Sequence, residues 1–197
     1  MWAINTAVWY LVDILFAFYI MILMLRLLLQ LMHANYYNPL CQFVIRLTSP
    51  VIRPLQRWLP TWHGIDTAVV AVVVLLTLVK FVLLGWLIFD QTPKLLGTIV
   101  WTLGDIVLNT VHLYIYLIIG RVILSLINNP QLAPILEVLY QLTEPTLRQV
   151  KRFIPPIAGF DVSALVVALA LQLMVTLIVV PVAIYGQQLA FQSKLHP

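Results

Sequence analysis

The 197-residue chain is 62% hydrophobic and 9% charged, with a mean hydropathy of +1.01 and a formal net charge of +4. Eleven Lys and Arg with seven Asp and Glu cannot clothe a soluble domain, where about a quarter of residues are ordinarily charged, so the composition belongs in a bilayer. The single cysteine, Cys41, excludes an intramolecular disulfide and a multi-thiolate metal site, and His33, His63, His112 and His196 share no helical ligand spacing. No cofactor or metal site is read from spacing.

Four runs are long enough to cross a hydrocarbon core that needs about 20 helical residues: 7–32, 66–89, 99–127 and 161–186. The stretch Met1 to Thr6 carries no basic residue, so no cleavable signal peptide is read there, and the first span is expected to stay in the mature protein. Segments 36–60 and 131–155 lie between the spans of each pair. Both are too polar to cross and too apolar to float free, which predicts a place in the membrane interface.

The two halves repeat. Arg26, Thr48, Pro50, Arg53, Arg57, Pro60, Gly64 and Asp66 recur 95 residues later as Arg121, Thr143, Pro145, Arg148, Arg152, Pro155, Gly159 and Asp161. The register needs no insertion, so the chain holds two copies of one module, 7–89 and 99–186. Each copy contributes two spans, and both therefore enter the membrane from the same side. The predicted fold is an all-α membrane protein with four transmembrane helices as two parallel helical-hairpin repeats, each with an interfacial amphipathic helix pair between its spans.

Within the first interfacial segment Leu40, Phe43, Val44 and Leu47 keep a helical period, as do Val51, Leu55 and Trp58 beyond a break predicted at Pro50. The second copy repeats this with Ile135, Val138, Leu139 and Leu142, then Leu147, Val150 and Ile154. Thr48 and Thr143 are placed to cap a helix that restarts with proline in its first turn. Arg53 and Arg57, then Arg148, Lys151 and Arg152, stand opposite the apolar stripe. Such a face suits anionic headgroups, at about 1 kcal/mol per basic residue, or a partner membrane protein. The alternative is that these side chains only snorkel and set topology. Counting Arg46 with them gives three basic residues in each interfacial segment, against Lys94 and Lys194 on the other side. That asymmetry predicts cytoplasmic interfacial segments and both termini outside.

Inside the spans, Arg26 and Arg121 lie about 9 Å from the cytoplasmic helix ends, within reach of snorkelling. Asp66 and Asp161 each open a span as an N-cap, and the pairs Arg26–Asp66 and Arg121–Asp161 are expected, with capping alone as the alternative. Asp13 and Lys80 share a deeper level, about 25 and 21 Å from those ends. Their counterparts, Leu108 and Val175, are both apolar, as for a salt bridge kept or lost as a unit. An ion or proton pathway is the alternative, though a relay needs a chain of ionisable groups and only these two are read at that depth. Asn109 and Gln172 are expected to bond across the second pair, and Pro181 to kink the last span.

The motif Leu142-Thr-Glu-Pro, comprising Thr143, Glu144 and Pro145, is followed by Arg148 and Arg152, then Ile154-Pro-Pro and Gly159 to Ser163 opening a span. It resembles the YggT family, and the likeness covers both modules in the two-copy arrangement of its proteobacterial members. The first copy departs where Ser49 replaces the acidic residue, Thr61 and Trp62 the second proline region, and Ala68 the serine. The second module is therefore the better candidate if the motif binds something. The resemblance implies an integral membrane protein associated with osmotic or ion homeostasis, division and nucleoid organisation in bacteria, and membrane cytochrome assembly in plastids.

No phosphate-cradling glycine loop, ligand cluster or activated nucleophile is found, so an enzyme is not expected. Two readings follow. One is a scaffold or assembly factor of the bacterial inner membrane that contacts anionic lipid or a partner membrane complex, without direct nucleic-acid contact. The other is a subunit of a small channel or transporter, which with four spans would need homo-oligomers to enclose a pore.

Overall fold

A computed structural model of the chain describes residues 2–62, 64–89, 92–127, 129–151 and 162–191. Among these the structure is helical apart from short connections and one isolated bridge between Trp62 and Ile65. Helix α1 (Trp2–Leu31) leads through a short turn to α2 (Pro39–Gln56), and α3 (Thr67–Leu84) ends in a π-helical turn, Gly85–Phe89. Helix α4 (Leu95–Leu126) is followed by a 3-10 turn, Pro130–Leu132, and by α5 (Ala133–Lys151). The last span is α6 (Val162–Met174), a π-helical turn (Val175–Val179) and α7 (Val180–Ala190) run together. Four of these stretches are long and apolar enough to cross a membrane: Ala7–Leu31, Thr67–Leu87, Leu95–Leu126 and Ser163–Ala190.

The break expected at Pro50 is absent. Helix α2 runs through both Pro50 and Pro54, and α5 runs through Pro145. An internal proline frees the carbonyl four residues back and ordinarily costs about 3 kcal/mol. Here all three prolines lie on exposed faces, where the freed carbonyls stay open to polar groups outside the bundle. Thr48 and Thr143 are consequently not caps. Their hydroxyls donate back to the carbonyls of Val44 and Leu139, both at 2.7 Å, and Ser49 does the same to Ile45 at 2.6 Å. The caps lie elsewhere: the Asn38 side chain accepts from the Leu40 amide at 3.0 Å at the start of α2, and Asp66 accepts from Ala68 at 3.1 Å at the start of α3. Gly64, at φ +80°, makes the turn that delivers Asp66.

At Pro181, where a kink is expected, the structure shows a change of winding. The proline has no N–H for the carbonyl four residues back, and the turn before it widens until the Val180 amide donates to Val175, five residues earlier.

Helix α4 packs most extensively against α7, and α1 against α3. The pairs join through contacts of α4 with α1 and α3 and of α2 with α5. Two hydrogen bonds tie the connection between α1 and α2 to α5: Asn38 Nδ2 donates to the Pro134 carbonyl at 2.6 Å and Gln141 Nε2 to that of Met32 at 2.8 Å. The main core gathers Ile20, Leu23 and Met24 of α1, Val69, Val72 and Val73 of α3, and Val138, Leu139 and Leu142 of α5. Lipid gives helices no hydrophobic drive to associate, so close packing has to hold them. The α4–α7 crossing supplies it: a Cβ at Gly97 would overlap the Ala190 backbone, and one at Gly186 would sit 2.5 Å from the Trp101 amide nitrogen.

Candidate functional site

Three groups of polar side chains interrupt this apolar structure. The first is an arginine node that occurs once in each repeat. Arg26 donates through Nη1 to Thr48 Oγ1 at 2.8 Å, and Arg121 through Nη1 to Thr143 Oγ1 at 2.9 Å. Each threonine can accept because its own hydrogen is spent on the helix carbonyl behind it.

The nodes differ in their anions. The expected Arg26–Asp66 pair is present but loose, with Nη2 and Oδ2 4.0 Å apart, because Asp66 is held by the Ala68 amide and by Gln56 Nε2. Arg121 Nη2 instead sits 2.8 Å from Glu144 Oε2, and its guanidinium lies over the Tyr140 ring at 4.0 Å. Lys151 also approaches Glu144, at 3.5 Å. Asp161 and Arg152 lie outside the described residues, and with them the expected Arg121–Asp161 pair. Sequence reasoning missed the Glu144 contact, because adjacent helical residues do not share a face and the Thr143 register carries no partner for its neighbour.

The second group is buried among α1, α3 and α4. Lys80, 1% exposed, reaches Asp13 Oδ1 at 3.2 Å, so the predicted pair is formed. Lys80 also lies 2.8 Å from Asp105 Oδ2, and Asn109 Nδ2 donates to the same oxygen at 2.9 Å. Asp105 therefore corrects the reading that only two ionisable groups share this depth. It stands one helical turn before Leu108, the counterpart of Asp13, so a position-by-position comparison of the repeats passes it by. The expected Asn109–Gln172 bond is not made: Asn109 turns to Asp105 on its own helix, and Gln172 is exposed. An ionised carboxylate is the stronger acceptor, and it lies one turn away.

The third group is the basic surface of α2 and α5. Arg46, Arg53, Arg57 and Arg148 are exposed, and Lys151 is partly covered by its contact with Glu144. Cys41, Val44, Thr48 and Ile52 line the buried face of α2. Phe43, Leu47, Val51 and Trp58, assigned from periodicity to the apolar stripe, are exposed, Trp58 by 86%. The helix thus has two apolar faces, one against α1 and α3 and one outward. Pro145 is exposed beside the node and makes no bond to it.

Long apolar helices, a doubled arginine–threonine node and a doubled basic helix define a multi-pass, all-helical membrane protein built from two copies of one unit. The chain belongs to the CCB3/YggT family, whose model matches it twice, over residues 5–87 and 100–182. It is 36% identical over 169 residues to an uncharacterised protein encoded in the proC 3′ region of Vibrio alginolyticus, covering 83% of this chain and 88% of that one. To the uncharacterised protein YggT of Escherichia coli strain K12 it is 34% identical over 164 residues, 82% of this chain and 84% of the other. No solved structure matches it.

Proposed function

We propose that the chain is a non-enzymatic scaffold or assembly factor of the bacterial inner membrane, whose working surface is the paired basic helices α2 and α5. In this reading the two repeats are parallel hairpins, α2 and α5 lie in the cytoplasmic interface, and both termini are outside. The observation that carries it is the outward face of α2 and the turn that follows it, where Arg46, Arg53 and Arg57 accompany the exposed Phe43, Leu47, Val51 and Trp58. Basic heads beside apolar and aromatic side chains fit the boundary between anionic headgroups and acyl chains. Contact between α2 and α5 sets Arg148 and Lys151 on the same ledge and supports a common side for both. A partner membrane complex or a second copy would dock against that ledge together with lipid.

The test is purification from native membrane of the wild type and of an Arg53→Glu/Arg57→Glu/Arg148→Glu variant. Anionic lipid or a membrane complex that co-purifies with the wild type and is lost from a folded variant supports the scaffold. Equal recovery from both overturns it. One observation favours the alternative, a subunit of a small ion channel or transporter: the Asp13–Lys80–Asp105 group. Ion flux into liposomes containing only this protein would establish that reading.

A further inference from the structure

Lys80 brings its ammonium to two carboxylates from two other helices, Asp13 of α1 and Asp105 of α4. Fully ionised, the three groups carry one net negative charge. A span among apolar helices penalises an uncompensated charge, and two carboxylates that share one site do not both ionise readily. The titratable groups facing the trio are its own members, and α7 contributes the neutral Gln187. The missing positive charge therefore has no described side chain to supply it.

We propose that Asp13 and Asp105 share one exchangeable proton, so that the trio is a proton-binding site. The proton belongs to the carboxyl pair, because two groups coupled through one ammonium titrate together. Lys80 and Asn109 both donate to Asp105 Oδ2, whereas Asp13 has Lys80 alone at 3.2 Å.

Exchange needs room for water beside the carboxylates. A cavity of about 220 Å³ is lined by Asp13 and Asp105 together with Trp9, Trp101, Leu108 and Gln187. At roughly 30 Å³ per water that space holds several molecules, with polar partners in its wall. The Asp13 side chain is 37% exposed.

The repeat supplies an independent argument. The arginine node is built twice, as a requirement of the module's own packing would be. The trio is built once: the counterparts of Asp13 and Lys80 are Leu108 and Val175, and that of Asp105 is Tyr10. Asp13 and Lys80 come from the first repeat and Asp105 from the second, so the trio joins the two repeats and is not part of what each repeat shares. This inference goes beyond the scaffold reading and does not rest on it.

Infrared spectroscopy of the full chain in lipid nanodiscs, titrated from about pH 5 to about pH 9, reads the proton directly. At neutral pH the wild type should show carboxylic-acid absorption equivalent to one group, shifting in deuterium oxide. Asp13→Asn and Asp105→Asn should each lose it and remain folded, since each leaves one neutral Asp–Lys pair. A wild type without that absorption at neutral pH overturns the proposal, and so does a signal that survives in both variants. Loss of the signal on adding sodium at constant pH replaces the proton with a metal cation. Unfolding of both variants would mean that both carboxylates are needed in ionised form.

Discussion

Arg121 and Glu144 form an ion pair with Nη2 and Oε2 2.8 Å apart, while in the other repeat the place of Glu144 is taken by Ser49, whose hydroxyl turns back to its own helix. Arg26 is left with Thr48 and a carboxylate at 4.0 Å. The repeats thus solve one problem, a guanidinium inside a span, with different anions. Removing the arginine from the tighter node should cost more. Arg121→Met is expected to destabilise by about 1–3 kcal/mol, less than for a fully buried pair because the Glu144 side chain left behind is 42% exposed. Ser49→Glu should stabilise the first repeat by about 1–2 kcal/mol, the scale of a charge-assisted hydrogen bond. Thermal unfolding in mild detergent measures both, and a lower midpoint for Ser49→Glu would refute the equivalence of the two nodes.

Lys80 is 1% exposed and its ammonium lies within 3.2 Å of two carboxylates. Lys80→Met should therefore leave two carboxylates facing each other and lower stability by about 3–5 kcal/mol. Adding Asp13→Asn and Asp105→Asn to that variant should restore most of the loss, because the core then holds polar groups but no charge. Chemical unfolding of the single and triple variants in lipid-detergent micelles decides it. A triple variant no more stable than Lys80→Met would show that packing of the lysine chain, not charge balance, matters there.

Much of this was legible in the chain. The doubled register marked out the spans, the recurrence of Arg26 as Arg121 and the Asp66 cap, but not the threonine partners of those arginines, whose place in the sequence suggests caps. Asp13–Lys80 was legible from depth alone, since two charges at one level have few other partners. What escaped the reading depends on azimuth. Asp105 reaches Lys80 by facing the same interior direction, and no count of residues from the membrane edge carries that angle. The continuity of α2 through Pro50 escaped because proline signals a break only where the freed carbonyl has no outlet, and here Pro50 and Pro54 are exposed. Periodicity groups Phe43, Leu47 and Val51 with Val44 in one stripe opposite the arginines, whereas Val44 is buried and the other three share the exposed side with Arg46 and Arg53.

The α4–α7 crossing depends on the absence of side chains at Gly97 and Gly186, a signal that hydropathy does not weigh. Gly97→Leu and Gly186→Leu should each part the helices, with a cost of at least about 1–3 kcal/mol typical of overpacking, and more here because the obstruction is backbone. Gly120→Ala is the contrasting case: its added Cβ would meet only Leu139 Cδ1, at 3.8 Å, and helix propensity should offset any loss. Crosslinking between cysteines placed on α4 and α7, in a Cys41→Ser background, reads the separation. Wild-type crosslinking efficiency in Gly97→Leu would refute the close crossing.

Cys41 gives the last prediction, and it tests how firmly α2 is seated. The residue lies outside the spanning helices, on the buried face of α2 beside Val44 and Thr48, and is 1% exposed. Burial pushes its thiol above the ordinary cysteine value by disfavouring the charged thiolate. The thiolate is the nucleophile, so both effects slow modification. A membrane-permeant maleimide applied near neutral pH should label native protein far more slowly than protein unfolded in detergent, because the buried thiol is both shielded and less ionised. The rate should go on climbing with pH through the ordinary cysteine range, where the thiol of the unfolded chain levels off. If Cys41 labels as fast in native membrane as in the unfolded chain, α2 lifts off α1 and α3 freely. The ledge would then be a mobile flap, and its basic and aromatic side chains could not hold the fixed spacing that a docking surface needs.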